Sequence, residues 1–210
     1  MKLVLFGASG KTGTLLIQQA LTDGHEVTAY VRRLESITLE NKNLKVVVGE
    51  LSDTNKITSA IAGTDACIST LGGNSLKNHA TEFMAGIQHI IAAMEKEKVS
   101  RFIYMSSVGA GESKYLMAQP VRFLIVNLML RIPLADHTVN EQRIASSKLN
   151  WTIVRPGGLT DGPATAEIKH GSDKVMIKGN PSISRANVAS FILKQLTDTT
   201  YTNKAVWLYE

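Results

Sequence analysis

The sequence predicts an α/β protein built on a doubly wound parallel sheet, a three-layer Rossmann arrangement with a small C-terminal cap. Three observations carry that expectation. Short apolar runs alternate with helix-length segments along most of the chain, the first run ends in a glycine-rich turn that opens a helix, and no linker or charge block divides the sequence. With 210 residues, 44% hydrophobic and 20% charged, the chain suits one folded domain. A domain of that size buries about 70% of its unfolded surface and has no room for a separate catalytic unit.

Taken in order, strands are expected at Leu3–Phe6, Val27–Val31, Lys45–Val48, Ala66–Thr70, Phe102–Met105 and Trp151–Val154. These runs are continuously apolar instead of alternating, as strands covered on both faces must be. Helices are expected between them, at Thr12–Thr22, Thr54–Ala62, Ala80–Lys98, Gln119–Arg131 and Asp136–Lys148. Right-handed crossovers then give a parallel sheet with helices on both sides. After Pro156 the rhythm changes. Ala164–His170 and Lys174–Lys178 suggest a small hairpin or lid, Ser184 caps a helix to Leu196, and Ala205–Leu208 reads as a last strand.

The segment Tyr115–Ile132 has more apolar residues than one helical stripe can hold, Phe123, Leu124, Val126, Leu128 and Met129 among them. A helix apolar nearly all round needs two partners, so burial or a dimer patch is expected, with the roofing of a flat hydrophobic ligand as a third use.

Leu3–Phe6 runs into Gly7-Ala8-Ser9-Gly10-Lys11-Thr12-Gly13, a Gly-x-x-Gly-x-x-Gly loop that opens an amphipathic helix. Gly7 suits the tight turn, Gly10 the close approach of backbone to a pyrophosphate, and Gly13 the packing of helix on strand, with the helix N-terminus aimed at phosphate. Gly10-Lys11-Thr12 resembles the end of a triphosphatase P-loop, but that loop needs four residues between its glycines and here there are two. The second strand ends Tyr30-Val31-Arg32-Arg33, with no carboxylate where an NAD site holds the ribose 2′-hydroxyl. Arg32, joined by Arg33, can instead pair with a 2′-phosphate, so NADP is the expected cofactor, with NADPH preferred over NADH.

Other classes are disfavoured. Net charge is +5, but Arg32-Arg33 is the only adjacent arginine pair and aromatics are 6%, so the basic stripe with interleaved aromatics of a nucleic-acid binder is missing. The single Cys67 sits in an apolar run and excludes an intrachain disulfide or cysteine-based zinc site; the five histidines have no metal-ligand spacing, so no metal is expected. No segment reads as a signal peptide or membrane span, and a cytoplasmic protein, monomeric or weakly homodimeric, is the expectation.

The ordered set formed by the glycine loop, Tyr30-Val31-Arg32, Val48-Gly49-Glu50-Leu51, Ser69-Thr70-Leu71-Gly72 and Met105-Ser106-Ser107 resembles the atypical, NmrA-like short-chain dehydrogenase/reductases. Leu134-Ala135-Asp136-His137, Glu141, Trp151 through Gly158 and Ile183 through Ala189 continue it, most like the biliverdin-IXβ reductase/flavin reductase group and its bacterial relatives. The resemblance implies that Ser9, Lys11 and Thr12 hold the cofactor phosphates and Arg32 the 2′-phosphate. It implies further that Glu50 and Leu51 flank the adenine, that Leu71 and Gly72 line the ribose and nicotinamide side, and that Pro156, Gly157 and Gly158 pack near the nicotinamide. None of the five tyrosines, Tyr30, Tyr104, Tyr115, Tyr201 and Tyr209, has a lysine four residues later, so the Tyr-x-x-x-Lys of alcohol-oxidising members is missing.

The expected activity is therefore hydride transfer from NADPH to a flat conjugated acceptor, a flavin, quinone or biliverdin-type molecule, which can take its proton from water. Ser107 is expected to orient the acceptor, with Ser106 beside it and His137 as a second polar group. Residues 155–183 and 115–132 would shape the substrate region of the single domain spanning 1–210. The alternative is a non-enzymatic NADP(H)-sensing regulator of the NmrA-like type.

Overall fold

The computed structural model describes residues 1–73, 75–120, 122–164, 167–177 and 181–210. Among the described residues, ten strands and five α-helices follow in the order β1 (Lys2–Phe6), α1 (Lys11–Thr22), β2 (Glu26–Val31), β3 (Leu44–Val48), α2 (Thr54–Ile61), β4 (Ala66–Ser69), α3 (Thr81–Glu97) and β5 (Arg101–Met105). The chain continues through α4 (Arg131–Ala145), β6 (Asn150–Pro156), β7 (Gly158–Thr160), β8 (Lys169–Gly171), β9 (Ser182–Ser184), α5 (Arg185–Lys194) and β10 (Lys204–Tyr209).

The main sheet has the order β3-β2-β1-β4-β5-β6-β10-β8, parallel except for β8, which runs antiparallel to β10. Its first six strands have the 3-2-1-4-5-6 order of a dinucleotide fold, with the reversal between β1 and β4. Both faces are covered, and β1 shows why its sequence is continuously apolar. Leu3 and Leu5 point into the core beneath α1 and α5, whereas Val4 and Phe6 point into the core beneath α2 and α3. A third, smaller cluster joins Val108, Leu116, Val126, Leu134, Ile177 and Trp207 beyond the end of β5.

Three expectations are corrected. The run from Gln119 to Arg131 is not a buried α-helix: Phe123–Met129 is π-helical and follows a 3-10 turn at Gly111–Leu116. Val126 packs inward, while Phe123, Leu124, Leu128 and Met129 are more than half exposed, so this segment is only partly accounted for by burial. The helix expected from Asp136 begins at Arg131, because Pro133 falls in its first turn, where a missing N–H costs nothing. The proposed hairpin does not form among the described residues. Lys169–Gly171 pairs with β10, Met117 bridges Ile177, and the short parallel pair β7 and β9 was not anticipated. Thr165, Ala166 and Lys178, parts of that expectation, lie outside the described residues.

Candidate functional site

The carboxyl ends of β1, β2 and β4 open on a groove of about 560 Å³. The β1–α1 turn forms one wall. Gly7 holds φ +83°, and a side chain on Gly13 would put its Cβ 2.2 Å from the Gly7 carbonyl, so the loop and the first turn of α1 pack at a distance only glycine allows. Gly10 stands at the N-cap of α1, no side chain caps that helix, and its first turn holds no acid. The N-terminal dipole and its free N–H groups are thereby left for an anion. Gly7, Ser9 and Gly10 line the groove, together with Tyr30, Arg32, Leu51, Leu71 and Gly72. Arg32 is exposed at the rim, and no acidic side chain ends β2. An uncapped helix end and a glycine wall, with an arginine at the rim, fit a bound dinucleotide.

Not every expected residue reaches this groove. Thr12 and Gly13 are buried in the first turn of α1, under the wall instead of on it. Lys11 turns away, its ammonium 2.7 Å from Asp161, a carboxylate that Arg185 also holds. Those two cations keep the Asp161 carboxyl below the usual range, Lys11 first. Arg33 points toward Glu35 at 3.8 Å, leaving Arg32 as the arginine of the pair that lines the groove. Glu50 contributes its carbonyl, which accepts the Tyr30 hydroxyl at 2.9 Å; burial, then Asp53 and Glu50, push that phenol up to about 12.

Ser106 and Ser107 follow β5. Ser106 donates its backbone N–H to the Val154 carbonyl, but its buried hydroxyl has no partner among the described residues. The Ser107 hydroxyl donates to the Val108 carbonyl at 3.2 Å. Of the two hydroxyls at this strand end, Ser107 thus bonds locally and Ser106 is left without a partner among the described residues. Pro156, Gly157 and Gly158 sit alongside: Pro156 accepts from Val108, Gly157 donates to Leu208, and Gly158 donates to Pro181. They join β6 to its neighbours and do not line the groove.

α4 brings two further groups to the far end. His137 is buried, shares a hydrogen bond of 2.7 Å with the Tyr104 hydroxyl, and presents Nε2 3.9 Å from where a Cβ on Gly72 would lie. Burial lowers its pKa to about 4 despite nearby Asp136, so the ring is neutral. Tyr104, fully buried, has its phenol pushed up by the same desolvation and cannot serve as an exposed acid. Beside them, Asp136 is 2% exposed and accepts from His79 Nδ1 at 2.5 Å and from the Ala80 N–H at 2.8 Å. His79 itself is 58% exposed and lines the groove. Sequence reading missed this pair because its members lie 57 positions apart, and no spacing rule joins them. Glu141 is not part of the groove wall. It pairs with buried Arg155, which also holds Glu112.

A family of domains described as NAD(P)H-binding matches residues 7–199. The chain belongs to this family. Within it the chain is of the atypical, NmrA-like short-chain dehydrogenase/reductase kind, and the glycine wall just described is the part of the fold such a domain needs. Among solved structures it is similar to ChuY, an anaerobilin reductase from Escherichia coli O157:H7, with 25% identity, a TM-score of 0.82, and coverage of 100% of this chain and 97% of that one. A short-chain dehydrogenase/reductase from Veillonella parvula in complex with NADP shares the fold at 17% identity and a TM-score of 0.85, covering 100% and 94%. An uncharacterised chloroplastic protein of Arabidopsis thaliana is 28% identical over 203 residues, 93% of this chain and 71% of that one. These are relatives of an NAD(P)H-binding, reductase-like domain. Among the described residues, no helix is long and apolar enough to cross a membrane.

Proposed function

We propose that the protein is an NADPH-dependent reductase that transfers hydride to a flat conjugated acceptor such as a flavin, a quinone or a bilin. The observation that carries this reading is the continuous groove from the glycine wall and Arg32 to Gly72, Gly73 and His79. A bound nicotinamide would supply the hydride. The chain's own residues do the rest. Gly7 and Gly10 would let the pyrophosphate approach the backbone closely, the uncapped first turn of α1 would offer it N–H groups, and Arg32 would take the 2′-phosphate. Leu51 would cover the adenine and Leu71 the ribose. At the far end the neutral His137 ring lies against Gly72 and would polarise a carbonyl or ring nitrogen of the acceptor, with the unpartnered Ser106 hydroxyl after β5 as a second candidate.

The exposed apolar segment Phe123–Met129 leads directly into α4, which carries His137, and supports an acceptor that is flat and hydrophobic. The ChuY likeness supports a tetrapyrrole-derived acceptor in particular. We assign the enzyme to the cytoplasm, as a monomer or weak homodimer. The test is direct: mix the protein with NADPH and FMN, riboflavin, biliverdin or simple quinones and follow the reduced-nicotinamide absorbance. Turnover with one of these is expected. Tight NADP binding with no turnover on any of them would replace the reductase reading with that of a redox-sensing NADP(H)-binding protein.

A further inference from the structure

We infer that His79 is the catalytic acid of this site, held by Asp136 so that its Nε2 delivers a proton to the acceptor as hydride arrives; the inference rests on the reductase reading above.

Reduction of a flavin, quinone or bilin by hydride leaves an anion that needs one proton. The sequence assigned that proton to water, for lack of a tyrosine–lysine pair. The structure offers another source. Asp136 is buried, both its oxygens accept hydrogen bonds, and one of those donors is His79 Nδ1. That bond fixes the ring and leaves Nε2 as the nitrogen that can carry and release the second proton. A carboxylate gripping one imidazole nitrogen while the other faces the reacting group is the arrangement by which proteins orient a histidine for proton transfer.

Location agrees with the role. His79 and Ala80 line the groove with Gly72 and Gly73, and a Cβ on Gly73 would lie 3.8 Å from Asp136 Oδ2, so the pair stands directly behind the Gly72-Gly73 turn. The neighbouring groups cannot do the same work. His137 is neutral and buried, and Tyr104 is closed off behind it. Glu82, on the first turn of α3, also lines the groove but has no donor holding it in place among the described residues. His79, more than half exposed, keeps its ring in contact with solvent.

The step balances. A bound nicotinamide would supply the hydride, His79 Nε2 would give its proton to the acceptor atom that gained charge, and a proton taken up from solvent would replace it. The acceptor leaves reduced by two electrons, and the nucleotide leaves oxidised. Asp136 acts through His79 and is a positioning residue.

The experiment is steady-state turnover of NADPH with the best acceptor found for the unaltered protein, compared with His79→Ala, His79→Gln and Asp136→Asn, with NADPH affinity measured on each. His79→Ala is expected to lose about 100-fold in kcat with NADPH affinity kept, the usual worth of a placed acid. Added imidazole should restore part of that loss in His79→Ala but not in His79→Gln, where the side chain fills the space. Asp136→Asn should lower kcat more than it raises KM, without rescue by imidazole. A kcat for His79→Ala equal to that of the unaltered protein overturns the inference and leaves the reductase reading standing. So does a loss that imidazole does not reverse and that NADPH affinity follows. No turnover by the unaltered protein with any acceptor overturns both.

Discussion

Replacing Arg32 by alanine tests the cofactor assignment at its most exposed point. Arg32 stands at the groove rim, solvated, and pairs with no acid among the described residues, whereas Arg33 beside it leans toward Glu35. Two magnitudes compete. A charge-assisted hydrogen bond contributes about 1.5–3 kcal/mol, but an ion pair in full solvent is worth only about 0.2–1 kcal/mol. A planar guanidinium meeting a phosphate through two N–H donors on a half-open rim should fall between these, near ~1.5 kcal/mol, or roughly a tenfold change in Kd. Arg32→Ala should therefore weaken NADPH about tenfold and leave NADH nearly unchanged, collapsing the preference. Arg32→Lys should retain part of it, since a lysine supplies the charge without the fork. Titration of each variant with both nucleotides, followed by nucleotide fluorescence, reads the ratio directly. Repeating it at higher ionic strength should shrink the preference of the unaltered protein, because an exposed pair is screened. If the NADPH to NADH ratio is the same in Arg32→Ala as in the unaltered protein, the 2′-phosphate is not held here and the assignment fails.

Other perturbations probe the scaffold. Gly13→Ala places a Cβ 2.2 Å from the Gly7 carbonyl, so the loop must open; NADPH binding should be lost and the melting temperature lowered, both measurable on one sample. Glu141→Ala strips buried Arg155 of one of its two carboxylates and should cost about 3–5 kcal/mol in denaturant unfolding, whereas the more exposed Glu112→Ala should cost under about 1 kcal/mol. His137 has a pKa of about 4 when folded and an ordinary value of 6.5, so between those pH values the unfolded chain binds more protons. Its contribution, up to about 3 kcal/mol, is full above pH 6.5 and is lost as pH falls toward 4. His137→Gln should flatten the stability profile across that window, and an unchanged profile would show that another group titrates there.

The fold was legible because its determinants are local. Each strand is a continuous apolar run, each crossover has room for one helix, and Gly7 and Gly13 mark a turn where a side chain cannot fit. Arg32 was legible for the same reason, being set by its distance along β2 from the glycine loop. What the residues alone do not decide is a matter of surroundings. Phe123–Met129 has the composition of a core helix, yet Ile125 and Val126 pack on the third cluster while Phe123, Leu124, Leu128 and Met129 stay exposed, and no rule of periodicity distinguishes a residue that packs from one that lacks something to pack against. Ser107 and Ser106 differ by one position, and only the direction of the backbone beyond β5 decides which hydroxyl meets a carbonyl and which is left free. Lys11 reads as a phosphate ligand in the sequence, and only the return of the chain at Asp161, 150 residues away, sets a carboxylate against it.

The far end of the groove shows what such distant contacts add. Asp136 and His137 are adjacent on α4, but their side chains have opposite fates because of what the rest of the chain brings to them. His137 turns into the core against Phe83 and Tyr104, where desolvation keeps it neutral, so it can orient an acceptor but has no proton to spare. Asp136 turns toward the loop after β4, where His79 and the Ala80 N–H meet it at the edge of solvent. One helix thus supplies a dry polar contact and, one residue earlier, the anchor for a wet one. Hydride transfer needs an apolar approach with few competing waters, while proton delivery needs a group that solvent can recharge. On the proposed reading, His137 against Gly72 and the Asp136–His79 pair beside Gly73 would meet these two demands without the tyrosine and lysine this chain lacks.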